Sequence, residues 1–136
     1  MDRETAELVA VLNEAISAEY GALFLLPQHI AQVEDEETKR QLKLIEEMEL
    51  EHAEKTARLI YQLGSEPKAD LPLLRPSMGL KAIIETQTEA EHKAIGIYGR
   101  AERLARDPET KQLLASLRKD EEGHLRLLER IRERVG

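Results

Sequence analysis

Three side chains able to bind metal recur in this chain at a fixed offset: Glu19, Glu49 and His52 reappear 72 positions later as Glu91, Glu121 and His124. In each copy 30 positions separate the two glutamates, and the histidine follows the second glutamate at i+3. That last spacing sets both groups on one face of a helix. A fold that serves both copies must therefore turn several helical faces toward one interior.

Glutamate is so abundant here that a single Glu-x-x-His carries little weight, and a third copy, Glu89 with His92, provides a control. Taking about 100° per residue from the centre of each apolar stripe separates them. From Ile45, Glu49 falls near +40° and His52 near −20°, and from Leu117, Glu121 and His124 take roughly the same two angles. Glu19, measured from Leu12, and Glu91, measured from Ile84, both lie at about −20°. Glu89 lies about 140° from Ile84 and points away, with His92 near the edge of the stripe. All six repeated residues sit on faces that should be buried, and the control does not.

Every long segment has the 3.6-residue period and none alternates with period two, so the chain is all-α. Helix A carries Leu8, Leu12, Ile16, Glu19, Leu23 and Leu26, with a kink or break expected near Pro27. Asp35 starts helix B and Gly64 stops it. Residues 64–77, with Pro67, Pro72 and Pro76, form the one long connection, after which Ser77 caps helix C. Asp107-Pro108 starts helix D as a cap followed by proline at the first helical position.

Loop lengths give the topology. Short turns make A–B and C–D antiparallel hairpins. The connection between B and C reaches about 46 Å at roughly 3.3 Å per residue, more than the ~40 Å length of a helix of about 27 residues. Helix C can thus begin at the far end and run parallel to helix B, giving an antiparallel four-helix bundle with one long crossover. The repeat extends beyond the ligands: Asp35 to Lys39 lines up with Asp107 to Lys111, and Leu12 with Ile84. Two joined copies of a helix pair, related by a pseudo-twofold axis, are expected.

Four buried carboxylates without partners would cost many kcal/mol or take up protons. Two divalent ions would balance their four charges, and oxygen-rich ligation with one imidazole per ion suits iron or manganese. The net charge of −7 argues against nucleic acid as a partner. With no cysteine, disulfides, iron–sulfur centres and thiolate zinc sites are excluded, and a reducing cytoplasm is compatible. Apolar runs such as Ala22–Pro27 are far shorter than the roughly 18 residues a membrane span requires, and no signal segment opens the chain, so a soluble, cytoplasmic protein is expected.

The stretch Leu12-Asn13-Glu14-Ala15-Ile16-Ser17-Ala18-Glu19 resembles the bacterioferritin and rubrerythrin branch of the ferritin-like superfamily. So do Glu49-Leu50-Glu51-His52 and Asp120-Glu121-Glu122-Gly123-His124. The resemblance covers residues 4–134; the length of 136 residues is that of a single domain, expected over residues 1–136. The resemblance also implies two iron ions, or manganese, bridged by Glu49 and Glu121. Glu19 and His52 would be terminal on one ion, Glu91 and His124 on the other. In such proteins Fe(II) reacts with O2 or peroxide, so the resemblance implies a diiron oxidoreductase of ferroxidase or peroxide-reducing type, working as a homo-oligomer in iron detoxification or oxidative-stress defence. The alternatives are an iron-storage subunit of a bacterioferritin-like or Dps-like cage, a dimanganese protein and a non-catalytic bundle.

Departures from the pattern narrow this. Leu50 stands where haem-binding bacterioferritins carry Met, so no haem is expected. Ala94 stands where rubrerythrins carry a further Glu, and their Cys-rich domain and the fifth helix of ferritin cages are missing from the sequence. Around the centre, Asp120 is placed to orient His52, a task Met48 cannot perform for His124. Tyr98 is a candidate to hydrogen-bond a ligand carboxylate or relay electrons, or else is a core aromatic. Tyr20 is expected at a helix edge, and His29 and His92 in structural or surface roles.

Overall fold

Asp2, Asp35 and Asp107 each accept a hydrogen bond from the amide three residues on, at Thr5 (2.7 Å), Thr38 (3.0 Å) and Thr110 (3.0 Å). Each satisfies a helix donor that would otherwise lack a partner. In the computed structural model, which describes residues 1–135, these caps open α1 (Arg3–Ile30), α2 (Glu36–Gln62) and α4 (Pro108–Val135), while α3 spans Leu80–Leu104. No strand occurs among the described residues. α2 ends with Gly64 at φ 91°, where Ser65 N–H bonds Ile60 C=O and Gly64 N–H bonds Tyr61 C=O. This double closure needs the left-handed backbone that glycine adopts at no steric cost.

Two expectations are corrected. Helix α1 is not broken at Pro27 but continues to Ile30. Proline removes only one bond there, near a terminus that Leu26, His29 and Ile30 hold by burial. Ser77 does not cap α3; the cap position is Gly79 at φ 89°, with no side-chain hydrogen bond. Ser77 is occupied elsewhere: its N–H donates to His29 Nε2 (2.9 Å), its C=O accepts from Gln32 Nε2 (2.7 Å), and its hydroxyl pairs with Thr86 (2.5 Å). By length and composition alone α1 would also pass for a membrane span. In this bundle it is a core helix, with Leu12, Ile16, Glu19 and Leu26 all buried.

The helices form an antiparallel bundle in which the crossover, residues 63–79, carries the chain from the end of α2 to the start of α3. Backbones approach closely between α1 and α2, α1 and α3, and α3 and α4, whereas α2 and α4 stay further apart. That wider gap leaves room for long side chains from α2 and α4. The apolar core divides into two clusters. One contains Leu12, Ile16, Ile60, Leu114 and Leu117; the other contains Leu26, Leu42, Ile45, Leu128 and Ile131. Leu117 is fully buried in the first. Leu117→Ala is expected to cost about 2–5 kcal/mol, read by denaturant unfolding.

His29 is fully buried and joins the crossover to the bundle. Its Nε2 accepts from Ser77 N–H (2.9 Å), and its Nδ1 lies 2.9 Å from Gln87 Nε2. Burial lowers its pKa, consistent with a neutral ring. His92 and Glu89 are exposed, and Tyr20 is 40% exposed at the edge of α1.

Candidate metal centre

Six side chains from four helices meet inside the bundle: Glu19 from α1, Glu49 and His52 from α2, Glu91 from α3, Glu121 and His124 from α4. None is more than 4% exposed, in a chain where most glutamates are on the surface. They fall into two overlapping sets, Glu19/Glu49/His52/Glu121 and Glu49/Glu91/Glu121/His124, whose ligand atoms lie within 4.8 Å of one another. Glu49 and Glu121 belong to both.

The geometry fixes which ring nitrogen faces inward. His52 Nε2 lies 3.0 Å from Asp120 Oδ2, a carboxylate that only accepts, so Nε2 carries the proton. In the neutral ring Nδ1 is then a lone pair. It faces Glu49 Oε1 (3.1 Å), Glu121 Oε1 (3.1 Å) and Glu19 Oε2 (3.3 Å). His124 Nδ1 likewise faces Glu91 Oε2 (2.9 Å) and Glu121 Oε1 (3.2 Å), with Glu49 Oε1 at 3.8 Å. Both rings stand nearly parallel, 5.9 Å apart.

These inward atoms have no hydrogen-bond partner: Glu49 Oε1, Glu91 Oε2, both oxygens of Glu121, and Nδ1 of His52 and of His124. They are close, yet none lies along a donor direction of another. Acceptors packed against acceptors repel unless a cation or protons sit among them. The donor set therefore fits two metal ions, Glu49 and Glu121 being shared between them. Bound there, divalent iron or manganese would supply redox chemistry that no side chain in the pocket has.

Without a cation the cluster holds protons. Burial raises Glu19 and Glu91 to about 7 and Glu49 to about 11. Burial also acts on Glu121, but the His124 and His52 nitrogens beside it outweigh this and hold it at about 2. Burial opposes charge on both rings too, yet the facing carboxylates raise His124 to about 9 and His52 further.

Behind Glu19, the Tyr98 hydroxyl donates to Glu19 Oε2 (3.2 Å). Since that uses its one proton, Thr56 Oγ1 donates to the Tyr98 oxygen (3.2 Å). Tyr98 is fully buried, and burial raises its pKa well above the usual range. Thr56 follows His52 by one turn on the inward stripe of α2, and its partner Tyr98, 42 residues away, is what the sequence does not give. Tyr98→Phe, which strands Thr56 and Glu19, is expected to cost about 1–3 kcal/mol in thermal unfolding of the metal-free protein.

The ferritin-like domain family matches residues 9–135. The chain belongs to that family. No curated protein sequence matches it, but solved ferritin-like structures do. A ferritin-like, diiron-carboxylate protein from Bacillus anthracis superposes with TM-score 0.89 at 23% identity, covering 96% of this chain and 99% of that one. The bacterioferritin of Desulfovibrio desulfuricans, whose structure records its diiron site in different catalytic states, gives 0.84 at 27% identity, with 96% and 82% covered. KatB, a manganese catalase from Anabaena PCC7120, gives 0.88 at 19% identity, with 100% and 75% covered. The ferritin-like bundle thus matches both diiron and manganese proteins, with a carboxylate–histidine cluster at its centre.

Proposed function

We propose that this ferritin-like chain is a non-haem diiron oxidoreductase that oxidises Fe(II) with peroxide or O2. Glu49 and Glu121 would bridge the ions, Glu19 and His52 would complete one position, and Glu91 and His124 the other. The observation that carries this reading is the set of buried, partnerless acceptors shared between two overlapping ligand clusters. A scaffold that only bound partners would have no reason to keep six such groups inside, where each unpaired one is destabilising. Iron is preferred over manganese because the bacterioferritin, at 27% identity, is more similar in sequence than the manganese catalase, at 19%.

The roles of the residues follow from their positions. The carboxylates would balance the charge of two divalent ions, and each histidine would offer one nitrogen to one of them. Asp120 holds the tautomer of His52, and Tyr98 holds Glu19. The buried surroundings exclude bulk water. The balance is two Fe(II) giving two electrons, which with one H2O2 and two protons yield two waters and two Fe(III).

Apolar side chains left on the outside of α1 and α2, among them Phe24 (53% exposed), Leu44, Leu50 and Tyr61 (62%), support a homo-oligomer. Rapid mixing of anaerobic Fe(II)-loaded protein with peroxide or with O2 tests the reaction. Oxidation faster than that of free Fe(II) with either oxidant supports it, and an unchanged rate with both removes it. Sizing chromatography on the same sample separates a dimer from an iron-storing shell.

A further inference from the structure

Four main-chain amides fasten the crossover to α1 and the turn that follows it. Lys68 N–H donates to Asn13 Oδ1 (2.8 Å), Asp70 N–H to Ser17 Oγ (2.8 Å), Ser77 N–H to His29 Nε2 (2.9 Å) and Gly79 N–H to Gln32 Oε1 (3.0 Å). Asn13, Ser17 and His29 are separated by whole turns of the helix. The two turns between Ser17 and His29 present Gly21 and Leu25, which offer no side-chain acceptor. There the crossover spans a cavity of about 180 Å3, with Ala18, Ala22 and Ala90 in its walls and Leu71 and Leu74 of the crossover forming its cover.

Of the four acceptors, His29 alone changes its protonation near neutral pH. In the neutral ring Nε2 accepts from Ser77, whereas in the protonated ring both nitrogens are donors. The Gln87 amide, 2.9 Å from Nδ1, carries an oxygen as well as a nitrogen and can turn that oxygen to a ring proton. Ser77 N–H can only donate, so protonation sets two donors head to head inside the fold. Ser77 is also held in place against the ring, its C=O by Gln32 Nε2 (2.7 Å) and its hydroxyl by Thr86. Among the described residues no charge faces the ring to offset this. Arg75 on the crossover, Lys81 and Glu85 on α3 and Glu34 beyond α1 are all exposed. Burial alone shifts the ring, lowering its pKa below the ordinary 6.5.

The geometry points to a latch operated by pH: protonation of His29 releases Ser77 and lets residues 74–79 of the crossover lift from the cavity between α1 and α3, while the fastenings of Lys68 and Asp70 hold. The crossover is then a cover hinged at Ser17 and latched at His29. A group whose pKa is lowered in the closed form favours the open form as pH falls below its free value, about 6.5. The cover is therefore closed above neutral pH and opens on acidification. Ala18 and Ala90 directly precede Glu19 and Glu91, so it lies on the side of the bundle that carries those two glutamates. The latch needs no metal and does not depend on the dinuclear reading, since His29 bonds to Ser77 and Gln87 and to none of the six inward ligands.

Amide hydrogen exchange of the intact chain, corrected for the intrinsic effect of pH on exchange, tests the latch. Between about pH 7.5 and 5.5 the protection of the Ser77 amide is expected to fall about tenfold, because the open form takes up a proton that the closed form refuses. The Asp70 amide, which donates to Ser17, and the Leu12 amide in the core of α1 should keep theirs. In His29→Gln, whose side chain keeps an acceptor but does not titrate, Ser77 protection should not change with pH. Far-UV circular dichroism at both pH values checks that this variant folds. Should it not, the midpoint decides, since the loss at Ser77 must follow the titration of the His29 ring read by its proton NMR shifts. Ser77 protection that stays constant, that falls alike in His29→Gln, or that falls together with Asp70 and Leu12 would overturn the latch.

Discussion

Glu121→Ala is expected to bring Fe(II) oxidation down to the rate of free Fe(II) and to abolish binding of two ions per chain. Glu121 is fully buried, both its oxygens lack hydrogen-bond partners, and it belongs to both ligand sets. Its removal takes a donor from each position at once, along with one of the four charges that balance two divalent ions. The loss should exceed the roughly 10–100-fold typical of residues that only support a ligand. Glu49→Ala should behave alike, because Glu49 is the other shared carboxylate. Glu89→Ala is the internal control: it belongs to a Glu-x-x-His of identical spacing but is exposed, and it should change neither stoichiometry nor rate. A Glu121→Ala protein that oxidises Fe(II) at the parent rate would remove the shared-ligand arrangement.

Metal removal should reverse the response of stability to pH. In the metal-free protein Glu19 and Glu91 titrate near 7, against an ordinary value of 4.5. A raised folded-state pKa contributes stability that is present below the unfolded value and lost as pH rises through the folded one. These two carboxylates therefore withdraw stability between about pH 4.5 and 7. His124, raised from 6.5 to about 9, continues the loss over the next window. Glu121 has the opposite sign, its stabilisation being lost only as pH falls toward about 2, outside this range. The metal-free protein should thus lose a few kcal/mol between about pH 5 and 8, on the order of 10 °C in Tm. The loaded protein should gain stability over the same interval, because metal binding requires the deprotonated ligands. Thermal melts of both forms across that range check the crossing; parallel curves would contradict it.

Periodicity and loop length were sufficient for the bundle because both are local or nearly local quantities. The caps at Asp35 and Asp107 and the stop at Gly64 act within four residues of themselves, and each lies where the sequence suggested. The convergence of six side chains was legible too, since a helical angle measured from an apolar stripe reports which face is buried. What escaped depended on long-range contacts. Ser77 resembles a helix cap, but it is held by His29 and Gln32, 48 and 45 residues away in sequence. The role of His29 depends on the path of the crossover and on Gln87, 58 residues away, and no periodicity encodes either. Pro27 looked like a break because local rules weigh the lost hydrogen bond and not the burial of Leu26, His29 and Ile30 around it. The span-like composition of α1 was hidden by Glu14 and Glu19, which interrupt its apolar runs without lowering its average much.

This ferritin-like bundle is expected to hold two metal ions between Glu49 and Glu121. Anaerobic titration of the metal-free protein with Fe(II), read by bound iron per chain after removal of free metal, tests it most directly. Saturation at two equivalents is expected, with Glu49→Ala and Glu121→Ala both falling short. Saturation at one equivalent or fewer, or full binding in both variants, would contradict it.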